Sequence, residues 1–247
     1  SCYGGLVPTP RLDQLASEGM RFTNFNTEAQ CTPTRGALLT GRLPLRTGTY
    51  KVPLPGEPGH YGLSPWEYTI AELLSDAGYA TAAIGKWHLG FGDAEPTDWN
   101  APLKPGPLEL GFDYYFGTLG ANDGGHVKFH ENNEEAGGTS EMGSLTRLYT
   151  DKAIDFLKHK REHGRPFVRY LAHTMMHTII DASPRFRGTS AGSLYGDVVE
   201  EFDYETGQLL DVVDDGVEVD LGPGPPPRHV VVHGARLTAR PGSRGID

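Results

Sequence analysis

Apolar residues recur at helical spacing in two long stretches of the chain. Within 145–163, Leu148, Ile154, Phe156 and Leu157 put an apolar stripe on one side of a helix, and within 195–213 Val198, Val199, Phe202, Leu209 and Leu210 do the same. A shorter helix is predicted from Pro10, with Thr9 as its cap, Leu12, Leu15 and Ala16 as its stripe and Gly19 as its end. Another is predicted over 65–77: Ser64 and Glu67 fit a capping box, Pro65 suits the first helical position, and Ile70, Leu73 and Leu74 face inward. Strands are predicted over 79–84 and 166–172, and the alternation of 21–25 reads as a third that leads towards Cys31. The aromatic block 111–117 reads as core or loop packing. The polar, glycine-rich stretch 120–140, with His126 and His130, reads as surface loop, as do 48–62 and 92–107. Strands alternating with long helices predict an α/β layered domain with a mostly parallel sheet, whose working loops lie at the C-terminal ends of the strands.

Composition narrows this picture only in places. At 247 residues the chain holds one large domain or two small ones, and its 33 glycines and 19 prolines imply long loops over a scaffold. A formal charge of −10 argues against a nucleic-acid partner and does not by itself favour an anionic substrate, so positive charge would have to be local. No apolar run approaches the roughly 20 residues of a membrane span. No signal peptide is visible and Ser1 is not a natural start, so the chain is expected to be cut at its N-terminus. Cys2 and Cys31 could form one disulfide, but two cysteines do not fix the compartment.

The tail changes character. Residues 197–220 carry ten acidic residues in 24; residues 221–247 carry one, Asp247, beside four arginines, five glycines and five prolines. One reading of 221–247 is a flexible tail; the favoured one is a shifted reading frame near 220, where a buried strand is due. Either way, the fold is expected to occupy 1–220, with 221–247 outside it.

The stretch with the most chemistry is Cys31-Thr32-Pro33-Thr34-Arg35-Gly36-Ala37-Leu38-Leu39-Thr40-Gly41-Arg42. Proline belongs in a first helical turn, so Cys31 is predicted at or just before a helix N-terminus, where unpaired N–H groups and the dipole receive anions. Arg35, one turn on, adds a permanent cation suited to oxyanions. A lone cysteine at a helix start is more commonly a small buried hydrophobe. Further on, Lys86 and His88 leave the end of the strand 79–84 with one residue between them, and by strand alternation lean to one side. A lysine there can neutralise an anionic oxygen, and a histidine can move a proton near neutral pH.

The order C-x-P-x-R followed by L-T-G-R, at Cys31, Pro33, Arg35 and residues 39–42, resembles the sulfatase signature, with Thr34 where most members carry serine. Residues 78–88, ending in Gly85-Lys86-Trp87-His88, resemble the second signature of that family. Ala172-His173-Thr174-Met175-Met176-His177-Thr178 matches a third pattern, an apolar strand followed by H-T-x-x-H-T. The resemblance spans roughly residues 2–218 and implies an alkaline-phosphatase-like α/β/α sandwich around a mostly parallel mixed sheet, here expected to be truncated at both ends. It implies hydrolysis of sulfate monoesters, of a sulfated small molecule or glycan, with Cys31 oxidised to formylglycine by a formylglycine-generating enzyme and hydrated to a geminal diol. Arg35, Lys86, His88 and His177 are the other catalytic residues implied, with His173 a structural neighbour. Asn122 and Asp123 fall in a poorly matching stretch and are not assigned.

The family also binds a divalent cation, usually calcium, through oxygen ligands. An Asp-Asp pair expected before Cys2-Tyr3-Gly4 and an Asp-Asn pair expected after the last long helix are both missing from the sequence, which leaves only position 31 of that shell. The chain is therefore expected to be a fragment with little activity of its own. Alternatives are a non-catalytic pseudoenzyme or mis-framed remnant, and a phosphonate or phosphate monoester hydrolase of the same superfamily. A periplasmic, secreted or lysosome-like compartment is what the resemblance implies.

Overall fold

A computed structural model describes residues 1–53, 62–94, 97–98, 101–162, 166–214 and 229–232. Among the described residues there are six α-helices: α1 (Pro10–Glu18), α2 (Cys31–Thr40), α3 (Pro44–Thr47), α4 (Ile70–Asp76), α5 (Leu145–Glu162) and α6 (Ser193–Asp214). Six strands accompany them: β1 (Ala80–Gly85), β2 (Tyr114–Thr118), β3 (Val127–Glu131), β4 (Glu134–Thr139), β5 (Phe167–Ala172) and β6 (His229–Val232). They form one mixed sheet in the order β4-β3-β2-β1-β5-β6. β1 runs parallel to both β2 and β5, β5 runs parallel to β6, and β2, β3 and β4 pair antiparallel at the other edge.

Every residue of β1 and β5 is buried, as expected for parallel strands covered on both faces. Successive side chains divide between two cores. Ala82, Ile84, Phe116 and Leu171 meet Leu145, Tyr149 and Leu157 of α5 and Val198 and Leu209 of α6 on one face. Ala83, Tyr115 and Tyr170 meet Leu39 of α2 and Ala71 of α4 on the other. This is the α/β/α sandwich. Leu145 and Leu157 are fully buried, and removing such a side chain from water is worth about 1.5–3 kcal/mol.

Several sequence expectations shift. The α4 cap is Thr69 with Glu72: Glu72 N donates to Thr69 Oγ1 at 3.2 Å and Thr69 N to Glu72 Oε2 at 2.8 Å. Ser64 and Glu67 form a turn instead, because the buried Glu67 carboxylate is taken by Arg42. Thr9 stands at the α1 N-cap position without capping. The N–H groups of Arg11 and Leu12 go to the Asp203 carboxylate, at 3.1 and 2.8 Å, which docks α1 on α6.

Residues 21–25 form no strand. Phe22 and Phe25 are exposed and pack on each other at 5.9 Å, and among the described residues no strand runs beside them to supply a ladder. The block 111–117 packs in the core through Phe112, Tyr115 and Phe116, and its residues 114–117 lie in β2. The stretch 120–140 is not a surface loop but carries the β3–β4 hairpin, turning at Asn132 in the left-handed region (φ 57). His126 is exposed, whereas His130 is buried in β3, and burial lowers its pKa.

In the tail, β6 pairs with β5 from Phe167↔His229 to Tyr170↔Val232, so four residues of 221–247 join the sheet edge. The remainder of that segment, and parts of the loops 48–62 and 92–107, lie outside the described residues.

Candidate active site

α2 starts at Cys31, with Pro33 in its first turn and Gly41 closing it in the left-handed conformation. The Thr34 hydroxyl donates to the Gln30 carbonyl at 2.8 Å, so threonine satisfies a backbone group at the helix entry. Cys31 is half-buried, and neither it nor Cys2 is in a disulfide.

The second signature follows β1. Gly85 has φ 105, and a Cβ there would lie 2.1 Å from the Ala172 carbonyl oxygen, so only glycine fits. Beyond it the backbone is clamped by two neighbours. Lys86 N donates to Ala172 O at 2.7 Å, Trp87 N to Thr118 O at 2.9 Å and His88 N to Leu119 O at 2.8 Å. The segment thus sits between the C-terminal ends of β5 and β2, the edge where α/β sheets place their sites. Trp87 anchors it in the core, edge-on to Phe112 and Tyr115.

Strand alternation is therefore not what brings Lys86 and His88 together, since both lie past the strand end. His88 holds φ 51, a left-handed conformation that is uncommon without glycine. Its carbonyl accepts the Thr32 hydroxyl at 2.7 Å, and its Nδ1 lies 3.1 Å from Cys31 Sγ. Arg35 reaches across from α2: one Nη1 donates to the Lys86 carbonyl at 2.6 Å and to the Tyr170 hydroxyl at 3.0 Å.

Burial and two neighbouring cations dominate the electrostatics. Lys86 is 3% exposed, and burial above all lowers its pKa; Cys31 and Asp123 pull it back up, while Arg35 adds to the lowering. Burial, then Lys86 and Arg35, push His88 down to about 3, so its imidazole is neutral at neutral pH. The helix start and two cations supply local positive charge to a chain of net −10.

His177 follows β5 in a turn, its N–H donating to Thr174 O at 3.0 Å. Its charge adds the smallest of the effects that lower the His88 pKa. Its Nδ1 lies 2.7 Å from the Thr178 carbonyl and 3.4 Å from Asp123 Oδ1. His173 lies elsewhere, packed against Tyr149 and Phe202 between α5 and α6.

Sequence reasoning left out Asn122 and Asp123. Both follow β2, the parallel neighbour of β1, and the rule that sites gather at such strand ends would have flagged them once 114–118 was recognised as a strand. A cleft of about 420 Å³ lined by residues including Glu131, Lys152 and Asp155 lies apart from all these groups.

The side chains around Cys31 suit an anion better than a hard cation. Arg35 and Lys86 are positive and His88 is neutral, and among the described residues no group of three His, Cys, Asp or Glu could hold a metal. The described residues therefore do not fit calcium.

The Sulfatase family model matches residues 1–219. The N-acetylgalactosamine-6-sulfatase of Canis lupus familiaris is 34% identical over 232 residues, covering 84% of this chain and 42% of the relative. An arylsulfatase of Hemicentrotus pulcherrimus is 36% identical over 223 residues, covering 83% of this chain and 39% of the relative. The chain therefore spans about two fifths of the length of these relatives. A structure solved in work on glycosaminoglycan metabolism by Bacteroides thetaiotaomicron superposes with a TM-score of 0.78 at 27% identity, covering 87% of this chain and 56% of its own. A second, BT4656 in complex with its substrate D-glucosamine-2-N,6-O-disulfate, has a TM-score of 0.56 at 30% identity and covers 76% of this chain and 33% of its own. With both signatures folded into one cluster and the match running nearly the length of the described fold, the chain belongs to the sulfatase family.

Proposed function

We propose that the protein hydrolyses sulfate monoesters at position 31. The observation that carries this reading is Cys31 Sγ standing 3.1 Å from His88 Nδ1 at a helix start beside Lys86 and Arg35. A half-buried, polar, cationic setting fits a small oxygen-bearing group at position 31 in place of the thiol. Oxidised to formylglycine and hydrated, position 31 would supply two hydroxyls on one carbon, one to attack sulfur and one to release sulfate, which a plain thiol cannot do.

Each remaining residue has its own part. His88 is neutral and already faces the side chain at position 31, so Nδ1 can accept a proton from that position. Lys86 sets positive charge against the sulfuryl oxygens, where charge develops as the ester bond breaks. Arg35 adds to that field, and its Nη1 on the Lys86 carbonyl fixes the lysine relative to α2. His177 gives a proton to the departing alcohol oxygen.

Sulfated sugars are the proposed substrate class. The support is the naming of the N-acetylgalactosamine-6-sulfatases and the disulfated glucosamine bound by BT4656. A formylglycine-generating enzyme is the implied maturation partner. The test is to co-express the chain with such an enzyme, determine the mass of the peptide holding position 31, and assay an aryl sulfate with calcium. Conversion at position 31, with slow turnover that disappears in Cys31→Ala, is expected. Turnover unchanged in Cys31→Ala, an unconverted cysteine in an active protein, or faster hydrolysis of the matching phosphate ester would each overturn the reading.

A further inference from the structure

We propose that Asp123 and Asn122 are positioning residues for His177, fixing its loop and the ring nitrogen that exchanges a proton with the leaving group. This rests on the reading of His177 as the proton donor. Asn122 is fully buried, and its Nδ2 donates to the carbonyls of His177 at 3.2 Å and Ile179 at 2.8 Å, gripping the backbone on both sides of Thr178. Its Oδ1 is buried with no partner among the described residues. An unsatisfied acceptor is costly, so fold stability alone does not explain an asparagine there.

Asp123 acts on the ring. His177 Nδ1 faces two acceptors, the Thr178 carbonyl at 2.7 Å and Asp123 Oδ1 at 3.4 Å. A nitrogen between two acceptors keeps its proton. Nε2 is then the atom that changes state, an acceptor in the neutral ring and a donor in the charged one. In the proposed reaction the Nε2–H bond breaks as the proton moves to the ester oxygen, whose bond to sulfur is breaking, and the N–H electron pair stays on Nε2. The Asp123 side chain is 64% exposed and that of His177 40%. Ion pairs this open add little to stability, so orientation is the more economical account of the pair. The negative charge of Asp123 is also felt at Lys86.

The test uses the chain labelled with ¹⁵N-histidine and long-range proton–nitrogen spectra, with His177 assigned by its loss in His177→Gln. In the wild type His177 is expected in the Nδ1–H tautomer. Asp123→Asn, which places an amide donor opposite Nδ1, is expected to raise the Nε2–H share at least about twofold, as exchange of a carboxylate for an amide does at other Asp–His pairs. The same variant is expected to lose roughly tenfold more turnover on an alkyl sulfate than on an activated aryl sulfate, since only the poor leaving group needs the proton. Asp123→Glu should restore both. An unchanged tautomer in Asp123→Asn, or equal losses on the two esters, overturns the proposal. A tautomer shift in a protein with no sulfate turnover at all would sink the proposed reaction and leave the Asp123–His177 pair standing.

Discussion

The Thr32 hydroxyl donates to the carbonyl oxygen of His88 across 2.7 Å, joining two points 56 residues apart in the chain. Thr32 is fully buried, so water cannot replace this bond. It holds the start of α2 against the segment after β1 and so sets the approach of Cys31 to His88. Thr32→Val keeps the shape and removes the donor, leaving the His88 carbonyl short of a partner. The expected cost is about 1–3 kcal/mol, read from equilibrium unfolding in urea. An unchanged unfolding midpoint would show that the bond does not hold the two signatures together.

Arg35 bridges two acceptors with one nitrogen, the Lys86 carbonyl and the Tyr170 hydroxyl. Lysine carries the charge but lacks the planar fork, so Arg35→Lys keeps the field and loses the brace. If placement of Lys86 matters, turnover of an aryl sulfate by the matured protein should fall roughly 10²–10³-fold, the range for loss of an electrostatic donor. Far-ultraviolet circular dichroism should stay the same. A variant with undiminished turnover would restrict Arg35 to the role of a distant charge.

Much of this arrangement was legible in the sequence because it depends on local rules. Proline in a first turn placed the start of α2, glycine after a buried apolar run placed the end of β1, and the long amphipathic stripes placed α5 and α6. What stayed hidden depends on partners far away in the chain. The capping box at Ser64 and Glu67 had the right residues, but Arg42 takes the Glu67 carboxylate and the helix starts at Thr69–Glu72 instead. Thr9 looked like a cap, yet Asp203, nearly two hundred residues on, caps α1. The β3–β4 hairpin was masked by its glycines, although Val127 and Phe129 alternate with polar residues before Asn132-Asn133, a turn signal that was available. Missing β2 as a strand also meant missing Asn122 and Asp123 at its end.

Gly85 and Gly117 meet where β1 and β2 run side by side, and added side chains at either would strike backbone. A Cβ at Gly117 would lie 1.8 Å from the Gly85 carbonyl oxygen, and one at Gly85 would lie 2.1 Å from that of Ala172. Gly85 also holds φ 105, which alanine resists. Gly85→Ala should therefore push β1 from β5 and displace Lys86, whose N–H is bonded to the same Ala172 carbonyl. The expected loss is about 2–4 kcal/mol of stability, together with loss of aryl sulfate turnover. Thermal unfolding checks the first part; a wild-type melting temperature would show that the strands can part without cost.

Asp197 is a buried carboxylate that links stability to pH. Its oxygens accept three backbone N–H groups: Gly188 at 2.7 Å, Ser190 at 2.8 Å and Thr189 at 3.1 Å. Those bonds, Gly188's foremost, hold its pKa below the ordinary 3.8, and burial opposes them only in part. In the unfolded chain the carboxyl takes up a proton at the ordinary value, while the folded chain resists. Below about pH 4 the unfolded state thus binds more protons, and stability falls as pH falls. Above about pH 5 the contribution is present in full. Asp197→Asn should be less stable than the wild type at pH 7, because an amide has one acceptor where the carboxylate has two. The gap should narrow as pH drops through the carboxylate range towards 3. Urea unfolding of both proteins at pH 7, 5, 4 and 3 decides it; a gap that stays constant across the series would mean that the three N–H groups do not discriminate between the charged and neutral carboxyl.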